Sequence, residues 1–141
     1  MKVIPGRLLR DLYVRNSLRW IQNGFTFDLT NRLPGVVVVK VLPLEIDGET
    51  WPAAGVSFVT GGQSRTGHQI FPWRPWRVPR GTFKVRVQGK VIDAGRHTVK
   101  LSVVARFLGR LEVGFTDTVH QGASEPREPA RESETESPRA D

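Results

Sequence analysis

Apolar and polar residues alternate with a period of two along most of this chain. Leu18, Trp20, Phe25, Phe27 and Leu29 keep that period around Asn23-Gly24, a dipeptide that marks a tight hairpin because both central residues of a type I′ turn need positive φ. Val36 to Val41 is a continuous β-branched run, suited to a strand buried on both faces. Leu44 and Ile46 lead through Asp47-Gly48 to Glu49–Trp51, a second hairpin, and Val56, Phe58 and Thr60 alternate again. Phe83, Val85 and Val87 set an apolar face against Lys84, Arg86 and Gln88. Val99, Leu101, Val103, Ala105 and Phe107 mirror Leu111, Val113 and Phe115 across a turn at Leu108 to Arg110. A short turn or helical piece is expected around Leu8, Leu9 and Leu12. No helix-length stretch shows a 3.6-residue period. The pattern predicts an all-β fold, an antiparallel β-sandwich of about eight short strands, because a sheet must bury its apolar face against another layer.

Composition divides the chain in two. Residues 1–120 form the expected sandwich domain. Residues 121–141 contain no Val, Ile, Leu, Phe, Tyr or Trp, too little apolar surface to offset the entropy of ordering, so a disordered charged tail is expected there. The tail holds six acidic and three basic residues, a net of −3, so the chain's +7 leaves the domain at +10. That charge favours acidic partners without choosing among nucleic acid, anionic membrane and acidic protein. There is no cysteine, hence no disulfide, thiolate nucleophile or cysteine metal site. No apolar run approaches the ~20 residues that span a bilayer. These features point to a soluble cytoplasmic protein.

Reactive constellations are scarce. His68, His97 and His120 lie in different elements without metal-ligand spacing. Glu45, Asp47 and Glu49 cluster around one hairpin, where Asp47 is explained by the turn itself and the twelve-residue calcium pattern is absent. Gly62 to Gly67 has phosphate-loop spacing, but His68-Gln69 replaces the Lys-Ser/Thr that would contact phosphate and magnesium. We expect no catalytic residue, no metal site and no cofactor in this chain.

The unusual segment is Gly61 to Pro79, GGQSRTGHQIFPWRPWRVP. Its prolines disfavour a regular central strand, and long loops of this kind often carry function. Trp and Arg are enriched at binding hot spots. His68, Phe71, Trp73, Arg74, Trp76 and Arg77 are therefore the candidate partner or ligand contacts. The segment has several uses open to it: capping one end of the sandwich, meeting a protein partner, or stacking a sugar, aromatic ligand or nucleic-acid strand.

Three stretches resemble the small β subunit of bacterial C-glycoside deglycosidases: Leu12 to Leu18 with Gly24 to Leu33, Pro43 to Glu49, and Pro79 to Gly89 with Gly95 to Val99. The resemblance implies an all-β accessory subunit of a hetero-oligomer that is non-catalytic alone. Its partner would be a TIM-barrel α subunit related to sugar-phosphate isomerases and epimerases. That partner would carry a divalent metal and the acid–base residues that cleave the carbon–carbon bond of 3-oxo-C-glycosides. No catalytic residue of this chain matches a family motif. Two other functions stay in play: a stand-alone β-sandwich module for carbohydrate or another small ligand, and, ranked last, a basic nucleic-acid binder whose affinity would fall steeply with salt.

Overall fold

The computed structural model describes residues 12–119. The piece expected around Leu8 and Leu9, His120 and the charged tail lie outside the described residues. Within them the regular secondary structure is nearly all strand, folded as two sheets with an apolar core between them.

The first sheet contains β1 (Arg19–Ile21), β2 (Gly24–Asn31), β6 (Val56–Thr60), β7 (Gln63–Thr66) and β9 (Gly81–Gln88), in the order β1-β2-β9-β6-β7. The second contains β3 (Val37–Val41), β4 (Leu44–Ile46), β5 (Glu49–Trp51), β8 (Trp76–Arg77), β10 (Arg96–Ala105) and β11 (Gly109–Thr118). β11 pairs along all of β10, from Arg96↔Thr118 to Ala105↔Gly109. The other edge of β10 is shared by β4 at its start and β3 at its end. β5 lies outside β4, and β8 outside β3. Every pairing is antiparallel. Two 3₁₀ turns, Ala53–Gly55 and Gly67–Gln69, bracket β6 and β7.

Period-two patterning decides which side chains meet. Phe25, Phe27, Phe58, Val85 and Val87 of the first sheet are buried with Val38, Leu44, Ile46 and Val99 of the second. Phe27 meets Phe115 edge-on, with centroids 4.9 Å apart. Tyr13, bridged to Leu29, stacks on Phe115 at 3.6 Å. The mirrored halves predicted for the last hairpin pair as Val99↔Phe115, Leu101↔Val113 and Val103↔Leu111.

Four details differ from the expectation. There are eleven strands among the described residues rather than about eight, the additions being short or polar edge strands such as β7 and β8. Gly24 is already paired with Ile21 and Gln88, so the first hairpin turns on Gln22-Asn23, with Asn23 at φ 63. The second turns on Asp47-Gly48, both at positive φ. β3 is not buried on both faces: Val38 and Val41 are buried while Lys40 is exposed, because β3 sits in a two-layer sandwich with one face toward the core.

Candidate functional site

The segment from Gly61 to Pro79 is organised from within. After β7 and the Gly67–Gln69 turn, the chain reverses at Phe71 to Arg74. Phe71 N–H donates to the Arg74 carbonyl at 3.3 Å, and Arg74 N–H to the Phe71 carbonyl at 2.8 Å. The Arg65 guanidinium clamps this reversal from β7. Its Nη1 donates to the Pro75 carbonyl at 3.4 Å, and its Nη2 to the carbonyls of Gln69 and Arg74 at 3.4 and 3.0 Å. A guanidinium is suited to this role because its donors are held in a rigid fork.

The clamp sorts the candidate residues. Trp73 sits at the tip, 79% exposed, its ring 4.8 Å from that of the half-buried Phe71. His68, Arg74 and Arg77 are exposed. Trp76 is only 7% exposed: it stacks on Phe58 at 4.6 Å and meets Phe83 edge-on at 5.4 Å. The segment thus divides into an exposed tip and a tryptophan anchored between the sheets.

A second aromatic stands at a neighbouring turn. Pairing of β10 with β11 closes at Ala105↔Gly109, leaving Arg106, Phe107 and Leu108 as the turn. Phe107, expected on the apolar face of its strand, is instead 93% exposed and held at φ 68. Arg106 Nη2 reaches the Pro72 carbonyl at 3.5 Å, linking this turn to the Trp73 tip. Val91, another large apolar residue that is exposed, belongs to the loop between β9 and β10.

A cleft of about 70 Å³ lies between the sheets. Trp76 lines it, with Leu29, Phe58 and Phe83 from the first sheet and Leu101 and Leu111 from the second. Its polar lining residues are Thr30 and Asn31. Thr30 shares a hydrogen bond with Thr82 at 2.8 Å, and the Asn31 amide bonds to the backbone of Leu33 and Pro79.

Titratable groups gather at the opposite hairpin. His97 Nδ1 lies 2.6 Å from Asp47 Oδ2, and Nε2 lies 2.6 Å from the Asp93 carbonyl. Asp47 Oδ1 also accepts the Thr98 N–H at 2.8 Å. With an acceptor at each ring nitrogen, the imidazolium is the form that satisfies both bonds. Burial opposes that charge, but the bonds to Asp47 and Asp93 outweigh it and raise the His97 pKa. The His97 bond, then the Thr98 N–H, lower that of Asp47. This pair was not legible as a site, since its members are fifty residues apart; the β4–β10 register, Val99↔Ile46, brings them together. Both ring nitrogens are engaged, so the pair works as a clamp between hairpins. Among the described residues, no three His, Asp or Glu side chains converge as a metal site would require, and no helix is long and apolar enough to cross a membrane.

The class defined by these features is an all-β sandwich domain with a prepared aromatic and basic surface at two linked turns. The family model described as hydroxymethylglutaryl-CoA reductase, N-terminal domain, matches residues 8–120, and the chain belongs to that family. No curated protein matches the sequence. The family match corrects the resemblance to C-glycoside deglycosidase β subunits. That resemblance rested on the order and spacing of stretches that are each largely hairpin grammar, which antiparallel sandwiches share whatever their descent. The expectations of a TIM-barrel partner and its divalent metal rested on it alone and lose that ground.

Proposed function

We propose that this chain is a non-catalytic β-sandwich domain that docks on a protein partner through its Trp73 and Phe107 turns, the partner carrying the chemistry. The observation that carries this reading is Phe107. A bulky residue at positive φ is locally unfavourable, and here it is also 93% exposed. Two costs at one position, with no compensation in the core, are the mark of a residue kept for something other than folding. Trp73 repeats the exposure on the linked turn, and Arg74 and Arg106 supply the rim. Aromatic anchors edged by arginine are the usual chemistry of interface hot spots. The Arg65 clamp sets the tip in place before binding, which lowers the ordering cost of association. The family description is compatible with the reading, since it names an N-terminal domain of an enzyme.

The test is affinity capture with the full chain beside a Trp73→Ser/Phe107→Ser double variant of matched circular dichroism and melting temperature. The native chain is expected to retain a partner in fixed stoichiometry and the double variant to lose it. Equal retention by both, or a native chain that purifies alone, overturns the proposal.

A further inference from the structure

We propose that β11 is a docking edge on which a second copy of this chain adds its own β11, antiparallel, about a two-fold axis at Gly114. β11 pairs with β10 on one side, and among the described residues no strand pairs with the other. The remaining sheet edges are formed by β1, β5, β7 and β8, of two to four residues each, whereas β11 runs for ten. Edge strands are usually guarded by brevity, lysine, proline or a bulge, and β11 has none of these. The direction of its backbone groups follows from β10. Thr98 and Ser102 give their carbonyls to the Asp47 and Leu42 N–H groups at 2.8 and 3.0 Å, on the edge that β4 and β3 share. The residues opposite them, Thr116 and Glu112, therefore turn their own N–H and C=O groups outward, and so does Gly114 between them. Leu111, Val113 and Phe115 are buried in the core, so the edge is held extended before anything binds it.

Gly114 points to a second copy as the occupant, because nothing in the chain's own fold demands glycine there. Its φ is not positive, and the ladder passes Lys100↔Gly114 without a bulge. A Cβ would meet Lys100 Cγ at 3.6 Å and the Val99 carbonyl oxygen at 3.9 Å, both ordinary contacts. A glycine inside a strand that marks no bulge marks a close approach, and the open side is outward. Gly114 is also the middle of the outward series Arg110, Glu112, Gly114, Thr116 and Thr118. A two-fold axis must lie there if the whole series is to pair with itself, a demand that an unrelated strand would not make. In that register Glu112 faces Thr116 of the second copy and Arg110 faces its Thr118, so no like charges stand opposite each other. Moving the axis to Glu112 would set that carboxylate against itself. Lys100 completes the match: it is exposed, its stem lies over Gly114, and among the described residues it has no salt bridge. It stands diagonal to Glu112 of the second copy.

Sedimentation equilibrium of the purified full chain tests the pairing without any other protein, so its outcome is independent of the capture experiment. The native chain is expected to dimerise. Gly114→Lys puts a charge against its own copy and should weaken the dimer about a hundredfold, the order of a like-charge opposition, with unchanged circular dichroism. The chain has no cysteine, so an introduced one reports the register. Gly114→Cys should cross-link to its copy on oxidation with diamide, the two Cα atoms standing about 5.5 Å apart. Glu112→Cys should not, because its copy lies four residues along the strand, about 14 Å away. Trp73→Ser/Phe107→Ser leaves β11 untouched and should dimerise like the native chain. A native chain that sediments as a monomer overturns the proposal. So does a dimer that is indifferent to Gly114→Lys, that is lost with Trp73→Ser/Phe107→Ser, or that cross-links through Glu112→Cys as readily as through Gly114→Cys. Should Gly114→Lys fail to fold, the two cysteine variants decide the matter.

Discussion

At Gly24 the close approach of two strands decides the residue. A Cβ there would stand 2.0 Å from the Val87 carbonyl oxygen, and the obstacle is backbone held in the β2–β9 ladder. Gly24→Ala should therefore cost about 3 kcal/mol, the upper part of the range for overpacking, read from the urea midpoint at unchanged slope. His97 makes a pH-dependent contribution. Its raised pKa gives stability that is complete below its ordinary 6.5 and is lost as pH rises through the folded value. The lowered pKa of Asp47 gives stability present above its ordinary 3.8 and lost as pH falls through the folded value. The advantage of the native chain over His97→Gln in melting temperature should thus be greatest between pH 3.8 and 6.5 and shrink on the alkaline side. An advantage that grows with alkalinity would refute the imidazolium clamp.

Between elements, Tyr13 joins the two sheets. Its segment bonds to β2 through Leu12 and Val14, while its hydroxyl donates to Asp117 of β11 at 2.6 Å. Burial first, then that donation, raise its pKa well beyond the usual tyrosine range. Tyr13→Phe keeps the ring stacked on Phe115 and leaves Asp117 the Asn16 N–H at 2.8 Å. The expected loss is then about 1.5 kcal/mol, the value of one hydrogen bond to a charged group, measured by chemical denaturation. The long strands were legible because each keeps one apolar face: β9, β10 and β11 appear where the alternation puts them. β7 was not, because Gln63 to Thr66 is a polar edge strand with no apolar face to betray it. The tryptophans show the limit most clearly. Pro72-Trp73-Arg74 and Pro75-Trp76-Arg77 are the same triplet, yet one tryptophan is exposed and the other buried, because Trp76 pairs with Val38. Phe107 was within reach: the mirrored pairs of β10 and β11 centre on it, so symmetry alone marks it as the apex of the turn.

For the whole molecule, the charge and the aromatic surface suggest different partners, and salt separates them. A net charge of +7 would serve nucleic acid, whose binding falls as a steep power of salt concentration through counterion release. An interface anchored by Trp73 and Phe107 with an arginine rim draws most of its strength from buried apolar surface, so its affinity should fall only modestly with salt. Phe107→Gly then separates folding from function. Glycine removes the left-handed strain at φ 68 and takes an exposed ring out of water. The variant should be about 1 kcal/mol more stable than the native chain, the lower end of the cost of that conformation, while its affinity for the partner falls at least tenfold, as at a hot spot. Denaturation and partner titration at two salt concentrations read both quantities on the same protein. A Phe107→Gly chain that is less stable would mean that the aromatic ring serves the fold, and one that binds as tightly would remove Phe107 from the docking surface.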